Sequence, residues 1–339
     1  KWFIAAMVLV AIQSFLVWIH HMFLTGINLE VKTIFMATTI AISLPFDLMM
    51  FSLIYTLLKG KVRFKTPFLF SFGGVLLFII GGITGVFLGA VVLDYQLRGT
   101  YWVVAHFHYV MVAGVTALIG GLYYWYPKIT GRMYNERLGK LHFVAYFVGF
   151  NLVYFPLFLA WGTPRRVFDY PAMFVTWHQV ATVGAFVLGL SFLIMAYNLI
   201  VSLRRGEPAP SNPWEYARTA EWATTSPPPL ENFPGIPSYA EGSLSFLDRS
   251  KSVPDGGVMA EDHGEPSHGS YWPVAVSGGL FVLLLGFSGF RQGTWASGTT
   301  GLFHQVTAGV GLLLTVGALV GLARERFGGP RMPTEGHWP

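Results

Sequence analysis

Eight long apolar stretches dominate this sequence and constrain its fold more than any other feature. Each approaches the roughly 20 residues that a helix needs to cross about 30 Å of hydrocarbon. Only 12% of the 339 residues are charged, about half the fraction usual in soluble domains. The sequence therefore predicts an all-α, polytopic transmembrane bundle without strands, whose eight spanning helices lie at about residues 2–24, 32–58, 67–92, 101–126, 141–162, 172–203, 271–290 and 302–323.

Basic residues in the loops predict the orientation of these helices. Lys and Arg are concentrated after the second, fourth, sixth and eighth stretches, so these loops are expected to face the cytoplasm or matrix. Arg165 and Arg166 are the exception on the outer side, and we expect them to have a local anionic partner. The net charge of +5 therefore reflects loop topology and gives no reason to expect nucleic-acid binding.

The composition divides the chain into four segments. Residues 1–203 contain six of the stretches, 204–270 form a polar, Pro-rich tail or linker, 271–323 contain two further stretches, and 324–339 form a polar tail. The chain has no cysteine, which excludes disulfides and thiolate metal sites. Lys1 stands where an initiator Met is expected, which suggests a fragment or a processed chain.

Four histidines lie inside apolar stretches: His20, His21, His106 and His108. Imidazoles within a membrane span are costly, so each is a functional candidate, although hydrogen bonding between helices is the simpler alternative. The first stretch runs outward and the fourth runs inward. Both pairs should therefore lie at a similar depth, in the outer half of the membrane.

The spacing of each pair separates two kinds of site. His20 and His21 are about 100° apart on a helix, so both can bind one copper ion. His106 and His108 are about 200° apart and point to nearly opposite faces. They cannot share one metal, but each can be the axial ligand of a different haem.

A series of motifs occurs in a characteristic order over about residues 1–233: Trp18–Phe23, Gly81–Val86 with Leu93-Asp94, Tyr101–Val110, Pro164–Pro171, Asn212–Trp214, Glu221-Trp222 and Ser226–Pro229 with Asn232-Phe233. Together they resemble subunit I of the haem–copper oxidases, the cytochrome c oxidase subunit I family. The resemblance covers the C-terminal half of that subunit. It implies that the family's first six helices precede Lys1 and belong to a separate or missing polypeptide.

This resemblance implies two haems of unknown type and one active-site copper. His20 and His21 would be two of the three histidine ligands of the copper. His106 would be the axial ligand of the high-spin haem that binds oxygen, and His108 one of the two axial ligands of the low-spin haem.

The outer loop would hold the haem propionates through Arg165 and Arg166, since guanidinium groups bind carboxylates in a bidentate manner. A solvated pair or a contact with lipid headgroups is the alternative. Arg98 and Gly99 stand where the family commonly has a His-Asp pair linked to magnesium. Arginine does not ligate a cation, so we predict no magnesium site.

The proton route of the family is also altered. Phe46 and Met49 occupy the positions of a conducting Thr and Lys in the second stretch. Asp47 lies beside them, and a carboxyl group in the middle of a span is a possible proton relay, with ion pairing or helix packing as the alternative. Asp94, near the outer water region, is a second possible relay.

The implied function is that of a terminal respiratory oxidase, which reduces O2 to water with electrons from cytochrome c or quinol and moves protons. The expected partners are membrane lipid, the N-terminal half of subunit I and subunits II and III, in a bacterial or archaeal plasma membrane. Residues 271–323 look like a fused small accessory subunit. Two alternatives remain: a nitric-oxide-reductase-like member with iron replacing copper, and a non-catalytic or degenerate membrane subunit.

Overall fold

The computed structural model describes residues 1–215, 217, 219–230, 232, 272–287 and 298–324. These residues form helices and loops, and no strand is found among them. Short 3-10 helices cover Trp18–Met22, Ala172–Phe174 and Ala220–Ala223. The α-helices are α1 (Trp2–Ser14), α2 (Leu29–Ala41), α3 (Ser43–Lys59), α4 (Thr66–Gly89), α5 (Val91–Leu97), α6 (Tyr101–Thr130), α7 (Glu136–Leu159), α8 (Val175–Arg205), α9 (Trp272–Phe287) and α10 (Gly298–Arg324).

Length and hydropathy mark most of these helices as membrane-spanning. Six segments in the described part of the chain are long and apolar enough to cross a bilayer: 29–59, 66–89, 101–130, 136–159, 172–205 and 301–321. Shorter apolar helices cover 2–14 and 274–287. The predicted fold class is confirmed, and the chain is an integral membrane protein built as a helical bundle.

The first predicted span is interrupted, contrary to expectation, whereas the second lies within the single spanning segment 29–59 and has a one-residue break in its helix. The stretch 2–24 is not one helix, because α1 ends at Ser14 and the chain turns before the 3-10 helix Trp18–Met22. The Ser14 hydroxyl donates to the carbonyl of Val10 at 2.7 Å, a local bond that competes with regular helix geometry. The helix in the stretch 32–58 breaks at residue 42, because the ring of Pro45, in the first turn of α3, excludes the carbonyl of Ala41 at the end of α2.

Two helix pairs in the first unit pack through glycine. On α4, a Cβ added at Gly74 would lie 2.6 Å from the Ala113 carbonyl oxygen of α6. On α8, a Cβ added at Gly184 would lie 2.6 Å from the Leu152 carbonyl carbon and the Val153 nitrogen of α7. Small residues let the backbones of membrane helices approach closely, so both contacts require glycine.

We expect Gly184→Leu to destabilise the bundle by about 1–3 kcal/mol, the usual cost of overpacking a close contact. The matched control is Gly189→Leu on the same helix, where a Cβ would meet nothing within 4 Å. The measurement is thermal unfolding of the detergent-solubilised protein. Equal melting temperatures for the two variants would contradict a close α7–α8 contact at Gly184.

Helices α9 and α10 belong to a second compact unit, distinct from the unit that contains residues 1–228. Glycine again allows close packing, since a Cβ at Gly286 would lie 2.3 Å from the Ala308 nitrogen. Part of the predicted linker packs against α6: Lys128 Nζ donates to the carbonyls of Ser211 and Thr224 at 2.9 and 2.7 Å. Most of the predicted linker and of the tail 324–339 lies outside the described residues, so the predicted four-segment division stays a prediction.

Candidate haem and copper site

The first histidine pair lies on the 3-10 helix that follows α1, with the two rings facing each other. Nε2 of His20 is 3.0 Å from Nε2 of His21. Two nitrogens bound to one ion at about 2.0–2.1 Å and nearly at right angles are separated by about that distance. The pair therefore fits a shared metal ion. Nδ1 of His20 lies 3.2 Å from the Thr39 hydroxyl of α2, which orients the ring from behind.

His106 points from α6 toward α4 and packs on glycine. Its Nδ1 lies 3.0 Å from the Gly81 carbonyl oxygen; since a carbonyl only accepts, Nδ1 carries the proton and Nε2 keeps its lone pair. A Cβ added at Gly85 would lie 2.8 Å from Cε1 of His106, so glycine makes room for the ring. A backbone bond at one nitrogen and a free second nitrogen is the usual arrangement of a metal-ligating histidine.

His108 faces the other side of α6. Its Nδ1 donates to the Val104 carbonyl at 2.8 Å, which also leaves Nε2 available for a metal. Its ring stacks on Tyr154 of α7, with centroids 4.1 Å apart. His106 and His108 therefore lie on different faces of one helix, and the donor chemistry of both fits axial coordination of haem iron.

The two histidine pairs lie in one region of the bundle. His106 is close enough to His20 and His21 to interact electrostatically with both. Across the described residues, however, no group of three or more His, Cys, Asp or Glu side chains could hold a metal ion. The roles of the four histidines as metal ligands stay predictions.

The arginine pair is held beside the start of α6 by backbone bonds. The Arg165 N–H donates to the Gly99 carbonyl at 2.8 Å, and the Tyr101 N–H donates to the Thr163 carbonyl at 3.0 Å. Burial lowers the pKa of Arg165, as do the neighbouring charges of Arg166 and Arg98. No ion pair involves Arg165 or Arg166 within the described ranges, so this cationic group suits an anionic ligand.

The two predicted relay carboxyls have opposite surroundings. Asp94 on α5 is fully buried, and Arg98 donates to its Oδ2 through Nε and a terminal nitrogen, at 3.0 and 2.6 Å. Burial raises the pKa of Asp94, and the hydrogen bonds and charge of Arg98 oppose that rise. Oδ1 of Asp94 has no hydrogen-bond partner among the residues that the structure describes. Asp47, by contrast, is exposed on α3.

Sequence reasoning missed the contacts of two residues, Arg98 and His142. Arg98 was expected only to exclude magnesium, but it also donates to the carbonyls of His20 and His21. His142 of α7 is fully buried, with Nδ1 3.0 Å from the Tyr123 hydroxyl and Nε2 without a partner. The partners are distant in sequence, so no local pattern indicates these contacts.

Comparison with known proteins identifies relatives of the same kind. The chain is 43% identical to the heme-copper oxidase subunit I+III of Aeropyrum pernix over 84% of its own length and 38% of that protein. It is 37% identical to cytochrome c oxidase subunit 1 of Bacillus sp. PS3, over 93% of this chain and 51% of that one. Quinol oxidase subunit 1 of Bacillus subtilis is 40% identical over 70% and 38%. The chain thus spans between about 38% and 51% of the length of these relatives.

A structural comparison gives the same fold. A cryo-EM structure of a heme-copper terminal oxidase dimer matches with a TM-score of 0.51 at 23% identity, over 57% of this chain and 40% of that one. The family described as cytochrome c and quinol oxidase polypeptide I matches residues 1–187. These residues include α1 to α7 and all four candidate histidines. The chain therefore belongs to the cytochrome c and quinol oxidase polypeptide I family.

Proposed function

We propose that this chain forms the C-terminal half of the catalytic subunit of a terminal respiratory oxidase that reduces O2 to water. The observation that carries the proposal is the close approach of His20 and His21, whose Nε2 atoms lie 3.0 Å apart, with His106 within electrostatic range of both rings and His108 on the opposite face of α6. The family membership of residues 1–187 supports two haems and one active-site copper as the cofactors.

Each residue has a holding or orienting role in this proposal. His20 and His21 bind the copper through Nε2, while His106 and His108 bind the high-spin and the low-spin haem. When bound, the metals supply the electron transfer and oxygen chemistry, and the protein supplies position and electrostatics. Thr39 and the Gly81 carbonyl fix the rings of His20 and His106. Fixed rings present their free nitrogens without reorganisation.

The charged groups near the outer surface complete the proposed site. Arg165 and Arg166 hold the haem propionates, and their positive charge stabilises the added electron. Asp94, buried and only partly neutralised by Arg98, relays protons toward the outer side. Asp47 serves as a relay on α3 where the family's Lys is replaced. The assignment of Asp94 rests on the cost of burying a carboxyl group, and that of Asp47 rests on its position in the middle of a predicted membrane span.

The proposed partners follow from the surfaces left uncovered. In the most apolar window of the segment 29–59, only 6% of residues are buried, against 33% for the windows of α4 and α6. We infer that the N-terminal half of subunit I covers α2 and α3, and that subunits II and III and membrane lipid surround the bundle. Cytochrome c or quinol is the electron donor, and the host membrane is a bacterial or archaeal plasma membrane.

The α9–α10 unit is proposed to be a fused accessory segment. Residues 1–270 are about 80% of the 339-residue chain, while the alignments with two relatives cover 84% and 93% of it. Both alignments therefore extend beyond residue 270. One of these relatives carries the name subunit I+III, which supports an accessory segment joined to the catalytic subunit in one polypeptide.

The test is purification of the assembled complex from membranes of the source organism. We expect two haems and one copper per complex, and O2 consumption with reduced cytochrome c or quinol. Non-haem iron in place of copper, with faster consumption of nitric oxide than of O2, would establish the nitric-oxide-reductase alternative. A complex lacking haem would establish a non-catalytic subunit.

A further inference from the structure

Arg98 connects three parts of the outer half of the bundle. It follows α5, and its side chain is 19% exposed. One face of its guanidinium fork meets the buried carboxylate of Asp94, one turn earlier. Two of its nitrogens reach the carbonyl oxygens of two consecutive residues: Nη1 donates to His21 at 3.3 Å, and Nη2, which also donates to Asp94, donates to His20.

Those two carbonyls receive a donor from outside their own helix. The 3-10 helix Trp18–Met22 is short, and carbonyls at the C-terminal end of a helix lack an intrahelical partner. His20 and His21 lie in its last turn. Arg98 therefore supplies an additional donor to the main chain of the two residues whose Nε2 atoms lie 3.0 Å apart.

We propose that Arg98 is a positioning residue, which fixes the backbone of His20 and His21 so that their Nε2 atoms meet at one copper ion. This inference rests on the proposed function. The fork requires arginine, because its planar guanidinium presents five N–H donors in a fixed arrangement. The compact ammonium of lysine is a point charge on a flexible stem and cannot reproduce that planar fork.

Asp94 aims the guanidinium. Nε and a terminal nitrogen both donate to Oδ2, at 3.0 and 2.6 Å, which fixes the plane of the fork. Asp94 lies on α5, and its backbone N–H donates to the Ala90 carbonyl at 2.9 Å. Lys32 of α2 donates to the Tyr95 hydroxyl at 3.0 Å, so α5 is also tied to the helix that supports His20.

A simpler role for Arg98 is only to neutralise Asp94. Four variants of the assembled oxidase separate the two roles: Arg98→Lys, Arg98→Met, Asp94→Asn and the double variant Asp94→Asn with Arg98→Met. Arg137→Met, which removes an exposed charge at the start of α7, is the control. The readouts are copper per haem at limiting copper and the reduced spectrum of the low-spin haem.

We expect Arg98→Lys to weaken copper binding about tenfold, the lower range for loss of a group that orients metal ligands, and to leave the low-spin spectrum unchanged. Arg98→Met should lose at least as much copper. The double variant should not recover it, because the carbonyls of His20 and His21 remain without their donor. The Arg137→Met control should match the unsubstituted complex.

Three results would overturn the inference. Full copper in Arg98→Lys would show that charge alone suffices. Recovery of copper in the double variant would reduce Arg98 to a counter-ion of Asp94. Equal loss of copper and of both haems in Arg98→Lys would show a general effect on folding. An unsubstituted complex without copper and haem would refute the proposed function instead, so the two failures are distinguishable.

Discussion

Loss of one haem and retention of the other is the expected result of His106→Leu. His106 and His108 face different neighbours, Gly81 of α4 and Tyr154 of α7, so each imidazole serves its own iron. His106→Leu should remove the high-spin absorption and reduce O2 consumption to below about 1%, because the axial imidazole holds the iron. His108→Leu should instead remove the low-spin absorption.

The measurement is the difference spectrum of the reduced and oxidised complex, with haem content determined separately. His304→Asn, on α10 of the other unit, is the control for general loss of a histidine. If His106→Leu and His108→Leu each lost both spectral features equally, assignment of the two histidines to separate haems would be wrong.

Copper should disappear, and both haems should remain, when His20 or His21 is replaced by Ala. Each ring supplies one of the two nitrogens that lie 3.0 Å apart, and its loss removes one of the three imidazoles proposed to hold the ion. We expect at least a hundredfold loss of O2 consumption, given that mutation of mere supporting partners already costs about 10–100-fold.

Elemental analysis for copper, normalised to haem, checks this second prediction. Thr39→Val is a milder variant for comparison, since it keeps both imidazoles and removes only the hydroxyl that lies 3.2 Å from Nδ1 of His20. It should retain more copper than either alanine variant. A normal copper content in His20→Ala and His21→Ala would contradict the shared site.

The sequence predicts the fold class because long apolar runs need a membrane and because membrane-spanning backbone must satisfy its own hydrogen bonds. The helix interruptions were less accessible to prediction. Pro45 could have indicated the end of α2, since proline excludes the carbonyl four residues before it. The end of α1 is marked only by the polar pair Gln13-Ser14, which is a weaker signal than proline.

In the candidate site, features set by neighbouring residues were predictable from the sequence, whereas contacts between residues distant in sequence were not. The opposite faces of His106 and His108 follow from helix geometry alone. The contacts of Arg98 with His20 and His21 join residues that are 78 and 77 positions apart. No local sequence pattern indicates such a pairing. The family commonly has a histidine at this position, so the resemblance predicts only that Arg98 cannot bind magnesium.

The junction between the outer loop and the start of α6 has a consequence for how this region tolerates change. Its two hydrogen bonds join main-chain atoms of Gly99, Tyr101, Thr163 and Arg165, and such bonds form regardless of which side chains are attached. Side chains on the loop can therefore be substituted while these main-chain hydrogen bonds to the start of α6 remain. Substitution is instead restricted at Gly99, because its φ of +76° disfavours any residue with a side chain. The position of Arg165 and Arg166 beside α6 therefore depends on a residue without a side chain.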